Sequence, residues 1–144
     1  MLKPFIKFSF LFKPKPKPRG NLGAGYIYHS SASYNLYNRN LAVTIQNQLH
    51  EVRIRDYPIF LGVYFQFPTR GVKDLDNLAG GIMDGMTKAG LILDDSVNQI
   101  AGQYLLTGKG SQYTIVVISQ YDDRISVVKE LEHERELRTN SSEP

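Results

Sequence analysis

A chain of 144 residues with 42% hydrophobic content can bury one ordinary core and is too short for two independent ones. It has no cysteine, which excludes disulfides, thiolate nucleophiles and zinc–thiolate centres and leaves oxygen ligands or the three histidines for any metal. The net charge of +3 conceals an asymmetry: residues 1–50 hold seven Lys/Arg and no Asp or Glu, whereas residues 51–144 hold ten basic and fourteen acidic side chains. A basic arm beside an acidic cluster suits a protein that holds a polyanion with one region and a metal ion with another; a solvated basic surface is the plainer account.

In the opening MLKPFIKFSFLF, Ile6, Phe8, Phe10 and Phe12 alternate with Lys7 and Ser9, the period of a strand with one buried face. Lys7 interrupts the apolar run and no small-residue cleavage site follows, so the stretch reads as a strand rather than a signal peptide. Nothing approaches the roughly 20 apolar residues of a membrane span, and the expectation is a soluble, cytoplasmic protein without a membrane partner. Residues 13–25, KPKPKPRGNLGAG, form a basic Pro/Gly-rich loop. Its alternating prolines favour an extended path that splays Lys13, Lys15, Lys17 and Arg19 outwards, either to follow nucleic-acid phosphates or merely to solubilise a linker.

Tyr37, Leu41, Ile45 and Leu49 recur every four residues after SSAS, which predicts a helix over about 33–50. Tyr26, Tyr28, Tyr34 and Tyr37 lie in and before it; they could stack on unpaired bases, although Tyr37 belongs on the apolar stripe. Ile59, Leu61, Val63, Phe65 and Phe67 alternate in a second strand ending at Pro68. Leu75, Leu78, Ile82 and Met86 then mark a helix over about 75–90, closed by Gly90. Two apolar runs, about 97–107 and 113–120, flank GKGSQ and read as an antiparallel hairpin. A charged helix and tail occupy 124–144, appended to a domain of residues 1–123. The order β-α-β-α-β-β-α predicts an α+β fold, with helices packed on one face of a mixed sheet.

The second helix opens with KDLDN, and DDS follows it at 94–96. Two like charges about 5 Å apart repel by roughly 3 kcal/mol at an effective dielectric of about 20, so such a cluster needs a cation, a proton or a partner. One aspartate explains a helix cap; Asp74 and Asp76 together with Asp94 and Asp95 exceed that need. A calcium loop fails on spacing, because the fifth position is Leu78 and the twelfth Gly85. Gly80, Gly81 and Gly85 cost the helix about 3 kcal/mol relative to alanine. Asn77, Gly80, Gly81, Asp84 and Lys88 fall opposite the apolar stripe, where missing side chains admit a close backbone, of DNA or of another subunit; Asp84 and Lys88 suit an ordinary ion pair. GNLGAG misses the dinucleotide fingerprint, TGKGS misses the phosphate loop, and His29, His50 and His133 stand apart. A D-x-D nucleotide-sugar transferase is a poor rival, since such enzymes need a larger fold.

The run KDLDNLAGGIMDGMTKAGLILDDS, residues 73–96, resembles the signature of the RusA family of Holliday junction resolvases, in which D-L-D-N is followed by D-x-x-T-K-A-G and L-D-D. The resemblance implies a RusA-like, magnesium-dependent endonuclease, with manganese as a substitute ion. It would act as a homodimer on four-way junction DNA, resolving it by paired symmetric nicks in recombination and repair, in a bacterial or phage setting near the nucleoid. It carries the catalytic and metal-binding roles onto Asp74, Asp76 and Asp95; beside them Asn77, Asp94, Lys73 and Lys88 are read as supporting residues, and Lys13, Lys15, Lys17 and Arg19, in a loop more basic than the family's, as cations that grip DNA phosphates. The family pattern has a lysine four residues after the second aspartate, where this chain has Gly80. Lys73, Lys88 or Lys109 could substitute; otherwise the chain is a junction-binding protein with weak or lost cutting.

Overall fold

The computed structural model describes residues 5–18, 32–69, 71, 73–93 and 99–141. The chain forms β1 (Ile6–Phe10), α1 (Ala32–Leu49), β2 (Ile59–Phe67), α2 (Leu75–Lys88), β3 (Ile100–Lys109), β4 (Tyr113–Gln120), a short 3-10 turn at Tyr121–Asp123 and α3 (Arg124–Ser141). One mixed sheet results, in the order β1-β4-β2-β3. β4 is antiparallel to both β1 and β2, while β2 and β3 run parallel because α2 carries the chain back between them. The α+β fold and the mixed sheet are as the sequence pattern indicates.

The expected hairpin is not formed: β3 and β4 lie on opposite sides of β2. GKGSQ therefore wraps around the end of β2 instead of making a tight turn, crossing two strand spacings of about 10 Å in all. Gly110 N–H donates to the Phe67 carbonyl at 2.9 Å. The Gln66 amide donates to the Ser111 carbonyl at 2.9 Å and Gln112 donates back to the Gln66 carbonyl at 3.1 Å, so the crossing is stitched to the strand it passes. Gly110 has φ of +157°, a conformation in which a side chain would also strike Gln66.

The sheet is covered on both faces. Ile59, Leu61, Val63, Phe65 and Phe67 of β2 join Phe8, Phe10, Val116 and Ile118 on one face, under Tyr37, Leu41 and Ile45 of α1 and Leu78, Ile82 and Met86 of α2. Tyr64, Ile115 and Val117 point the other way and pack against Val127 and Leu131 of α3. The expectation of helices on one face thus holds for α1 and α2 but not for α3. The reason is β2, nearly all of which is buried, with apolar side chains facing both ways. Lys7 on that second face bridges Glu130 at 2.9 Å and Glu134 at 2.5 Å, so the charged side of α3 finds partners as its apolar pair is buried.

α2 is fixed at both ends. Asp74 caps its N-terminus, accepting from Asn77 N–H at 3.1 Å. At the other end Gly90 adopts φ of +80°, its N–H donates to Thr87 at 3.1 Å, and Leu91 N–H donates to Met86 at 3.0 Å. That is a Schellman stop, with buried Leu91 as its apolar anchor.

Candidate functional site

Because β2 feeds α2 through a short connection, the Asp-Leu-Asp sequence is delivered to the helix N-terminus, where backbone N–H groups and the helix dipole favour negative charge. Asp74 spends one oxygen on the cap. Asp76, one residue into the helix, is held from the sheet: Gln103 of β3 donates from its amide to Asp76 Oδ1 at 2.6 Å. Gln103 is a site residue that sequence reading misses, because its strand face follows from the parallel β2–β3 pairing rather than from any motif. Both aspartates are exposed.

Beside them opens a cleft of about 510 Å³ lined by Phe67, Thr69, Lys73, Leu75, Thr107 and Lys109. Lys73 holds its ammonium 4.9 Å from the centre of the Phe67 ring, at the cleft wall. Lys88 is not brought to this site: fourteen residues after Asp74, it stands about 21 Å away along the helix axis. Arg19, Asp94 and Asp95 lie outside the described residues, as do Tyr26, Tyr28 and the glycines of the loop. Among the described residues no group of three or more His, Cys, Asp or Glu gathers as a metal-binding set. Asp74 and Asp76 supply two oxygen donors of the hard type that Mg²⁺ accepts, an ion that otherwise keeps much of its water, so the residues present fit it.

The basic arm lies against α2. Lys17 N–H donates to the Asn77 carbonyl at 3.0 Å. A Cβ built on Gly81 would lie 2.4 Å from the Lys15 carbonyl oxygen, one on Gly80 would lie 3.3 Å from Lys17 Cβ, and one on Gly85 would lie 2.5 Å from Leu41 Cδ2 of α1. The backbone admitted by the glycine face is therefore the chain's own, and the helix-propensity cost is offset by intramolecular packing. Asp84 takes Lys17 Nζ at 3.2 Å and the Tyr34 hydroxyl at 2.6 Å, not the expected partner Lys88. Tyr37 beneath is buried in the core, as its stripe indicates; burial, with the Asp84 charge adding to it, pushes its phenol well above the ordinary range and keeps it protonated.

Gly81→Ala tests the cradle. Alanine favours the helix by about 1 kcal/mol, yet its methyl collides with a main-chain oxygen that can yield only if the arm moves. The expected result is amide exchange at Lys17 at least about tenfold faster with no fall in melting temperature. Unchanged Lys17 protection would show that the arm is held elsewhere.

Fold and site together define a small α+β domain that presents carboxylates at a helix N-terminus, beside a lysine-lined cleft and under a basic arm. A family model described as Endodeoxyribonuclease RusA matches residues 12–117. The chain belongs to the RusA family. Similar proteins include crossover junction endodeoxyribonuclease RusA of Escherichia coli (strain K12), 35% identical over 68 residues, which are 47% of this chain and 56% of that protein. The protein of the same name from Enterobacteria phage 82 is 34% identical over 68 residues, with the same coverage of 47% and 56%. The chain thus spans a little over half the length of these curated relatives. Among the described residues no helix is long and apolar enough to cross a membrane.

Proposed function

We propose that this chain is a Mg²⁺-dependent endodeoxyribonuclease that resolves four-way DNA junctions by paired symmetric nicks, acting as a homodimer in recombination and repair. The observation that carries the reading is the family's D-L-D-N motif at the N-terminus of α2, with Asp76 oriented by Gln103. Asp74 and Asp76 would hold the ion, with Asp95 as a third carboxylate and Asp94 in support. The chemistry that Mg²⁺, or Mn²⁺ in its place, would supply there is an activated water and neutralisation of charge on the phosphoryl oxygens. Gln103 keeps one Asp76 oxygen engaged so that the carboxylate does not swing with each substrate. Asn77 ties the Asp74 cap to the arm, donating to the carboxylate and accepting from Lys17. Lys73 at the cleft wall meets the strand, and Lys13, Lys15, Lys17 and Arg19 grip backbone phosphates, which positions DNA without reading its sequence. Two sites related by a two-fold axis match the symmetry of a junction cut in two strands.

The test is incubation of the protein with end-labelled four-way junction and with linear duplex of the same sequence, in Mg²⁺, Mn²⁺ or chelator. Two symmetric nicks in the junction, none in the duplex and none with chelator are expected. A junction that is shifted but uncut at every metal and protein concentration makes the chain a junction-binding protein and overturns the nuclease reading.

A further inference from the structure

We propose that Lys17, carried by the arm, is the phosphate-contacting cation of the acidic site and occupies the place that a side chain at position 80 would fill. The catalytic part of this inference rests on the nuclease reading; the binding part does not.

Three observations converge on Lys17. Its N–H is bonded to the Asn77 carbonyl, which fixes the residue over the first turns of α2. Its Cβ and Cδ pass 3.3 and 3.4 Å from where a Cβ on Gly80 would stand, so its stem lies along the bare patch of the helix. Its ammonium reaches Asp84 Oδ1 at 3.2 Å. Asp76, Gly80 and Asp84 follow one another at intervals of four, so they form one row on successive turns. The lysine stem thus lies between two carboxylates, with Asp84 one turn in one direction and Asp76 one turn in the other. A flexible four-carbon stem sweeps both positions. The flanking Pro16 and Pro18 meanwhile limit the backbone that carries it.

The contact with Asp84 is suited to exchange. Lys17 and Asp84 side chains are 44% and 26% exposed, and an ion pair so open to water is weak enough for a phosphate to compete. Asp84 also accepts from the Tyr34 hydroxyl, so it keeps a donor when the ammonium turns towards DNA. Of the other candidate lysines, Lys73 is drawn to the Phe67 ring, Lys88 stands at the far end of the helix, and Lys109 lines the cleft at the end of β3 rather than lying on the Gly80 face. The chain therefore has a cation at the Gly80 position without encoding it there.

The experiment compares wild type, Lys17→Ala, Lys17→Arg and the double variant Lys17→Ala with Gly80→Lys. Junction affinity is measured against salt in chelator, and cutting is measured in Mg²⁺. Lys17→Ala is expected to reduce the salt slope by about one unit, the share of one phosphate contact. It is also expected to slow cutting about 100-fold, with arginine at 17 or lysine at 80 restoring both. An unchanged slope overturns the inference. So does a fall of about four units, the share of the arm's four cations together, or a loss that neither replacement recovers, since each means that Lys17 only holds the arm in place. Wild type that binds without cutting overturns the nuclease reading alone, and the slope then still decides the role of Lys17.

Discussion

Asp76→Asn is expected to abolish junction cutting, by at least about 10³-fold, while junction binding in chelator stays within about threefold of wild type or tightens. The magnitude corresponds to about 4 kcal/mol of lost transition-state stabilisation, the scale on which a metal acts at a phosphoryl centre. The substitution separates chemistry from structure unusually well at this position. Gln103 donates to Asp76 Oδ1, and the carbonyl oxygen of asparagine can accept the same bond, so the side chain keeps its anchor and loses only its charge. Asp76 is exposed and does not cap the helix, a task that falls to Asp74, so the fold has little reason to respond. Removing a negative charge from the path of a phosphate backbone also eases binding. Gel shift, single-turnover cutting in Mg²⁺ and a melting curve on the same preparation check all three parts. A variant that cuts at the wild-type rate would remove Asp76 from the metal site and leave the proposed mechanism without its central ligand.

The position of that aspartate is also where the sequence was most informative. Alternation in β2, the periodic stripe of α2 and the glycine that closes that helix are local signals, and each yields an element where the spacing places it. The errors lie in relations between elements. GKGSQ flanked by apolar runs looks the same whether the strands pair with each other or straddle a third, and only the parallel β2–β3 ladder decides it. In α3 the apolar spacing Ile125, Val128, Leu131 finds Leu131 but not Val127, the other fully buried apolar side chain, while Ile125 is exposed, so this charge-rich helix reads as an appendage although it covers a sheet face. Gly80 and Gly81 signal a close approach, but nothing local says that the approaching backbone is residues 15–17 of the same chain. Gln103 carries no signal at all, since a glutamine on a strand becomes a site residue only by its pairing register.

The second face supplies the other large effect, expected at Gly62. This residue sits in the centre of β2, paired with Tyr104 on one side and Val117 on the other, and faces α3. A Cβ there would lie 2.3 Å from Val127 Cγ1 and 2.5 Å from Leu131 Cδ1, so these neighbours must shift, and Val127, branched at Cβ and fully buried, has little rotamer freedom with which to do so. Strand propensity favours alanine over glycine by up to about 1 kcal/mol, but lifting α3 forfeits part of the burial of Val127 and Leu131, about 1.5–3 kcal/mol each when complete. Overpacking dominates, and Gly62→Ala is expected to lower stability by about 3 kcal/mol, or about 10 °C in melting temperature. Because the strain is a collision with named atoms, truncating the neighbour relieves it. Val127→Ala alone costs stability through a cavity, yet the double variant is expected to be at least about 1 kcal/mol more stable than the sum of the single effects. Denaturant unfolding of the four proteins measures the coupling directly, and strictly additive costs would place the strain elsewhere. Since α2 and the arm lie on the other side of the sheet, junction binding by the Gly62 variant below its melting transition is expected to match wild type, which separates the packing of α3 from the chemistry at Asp76.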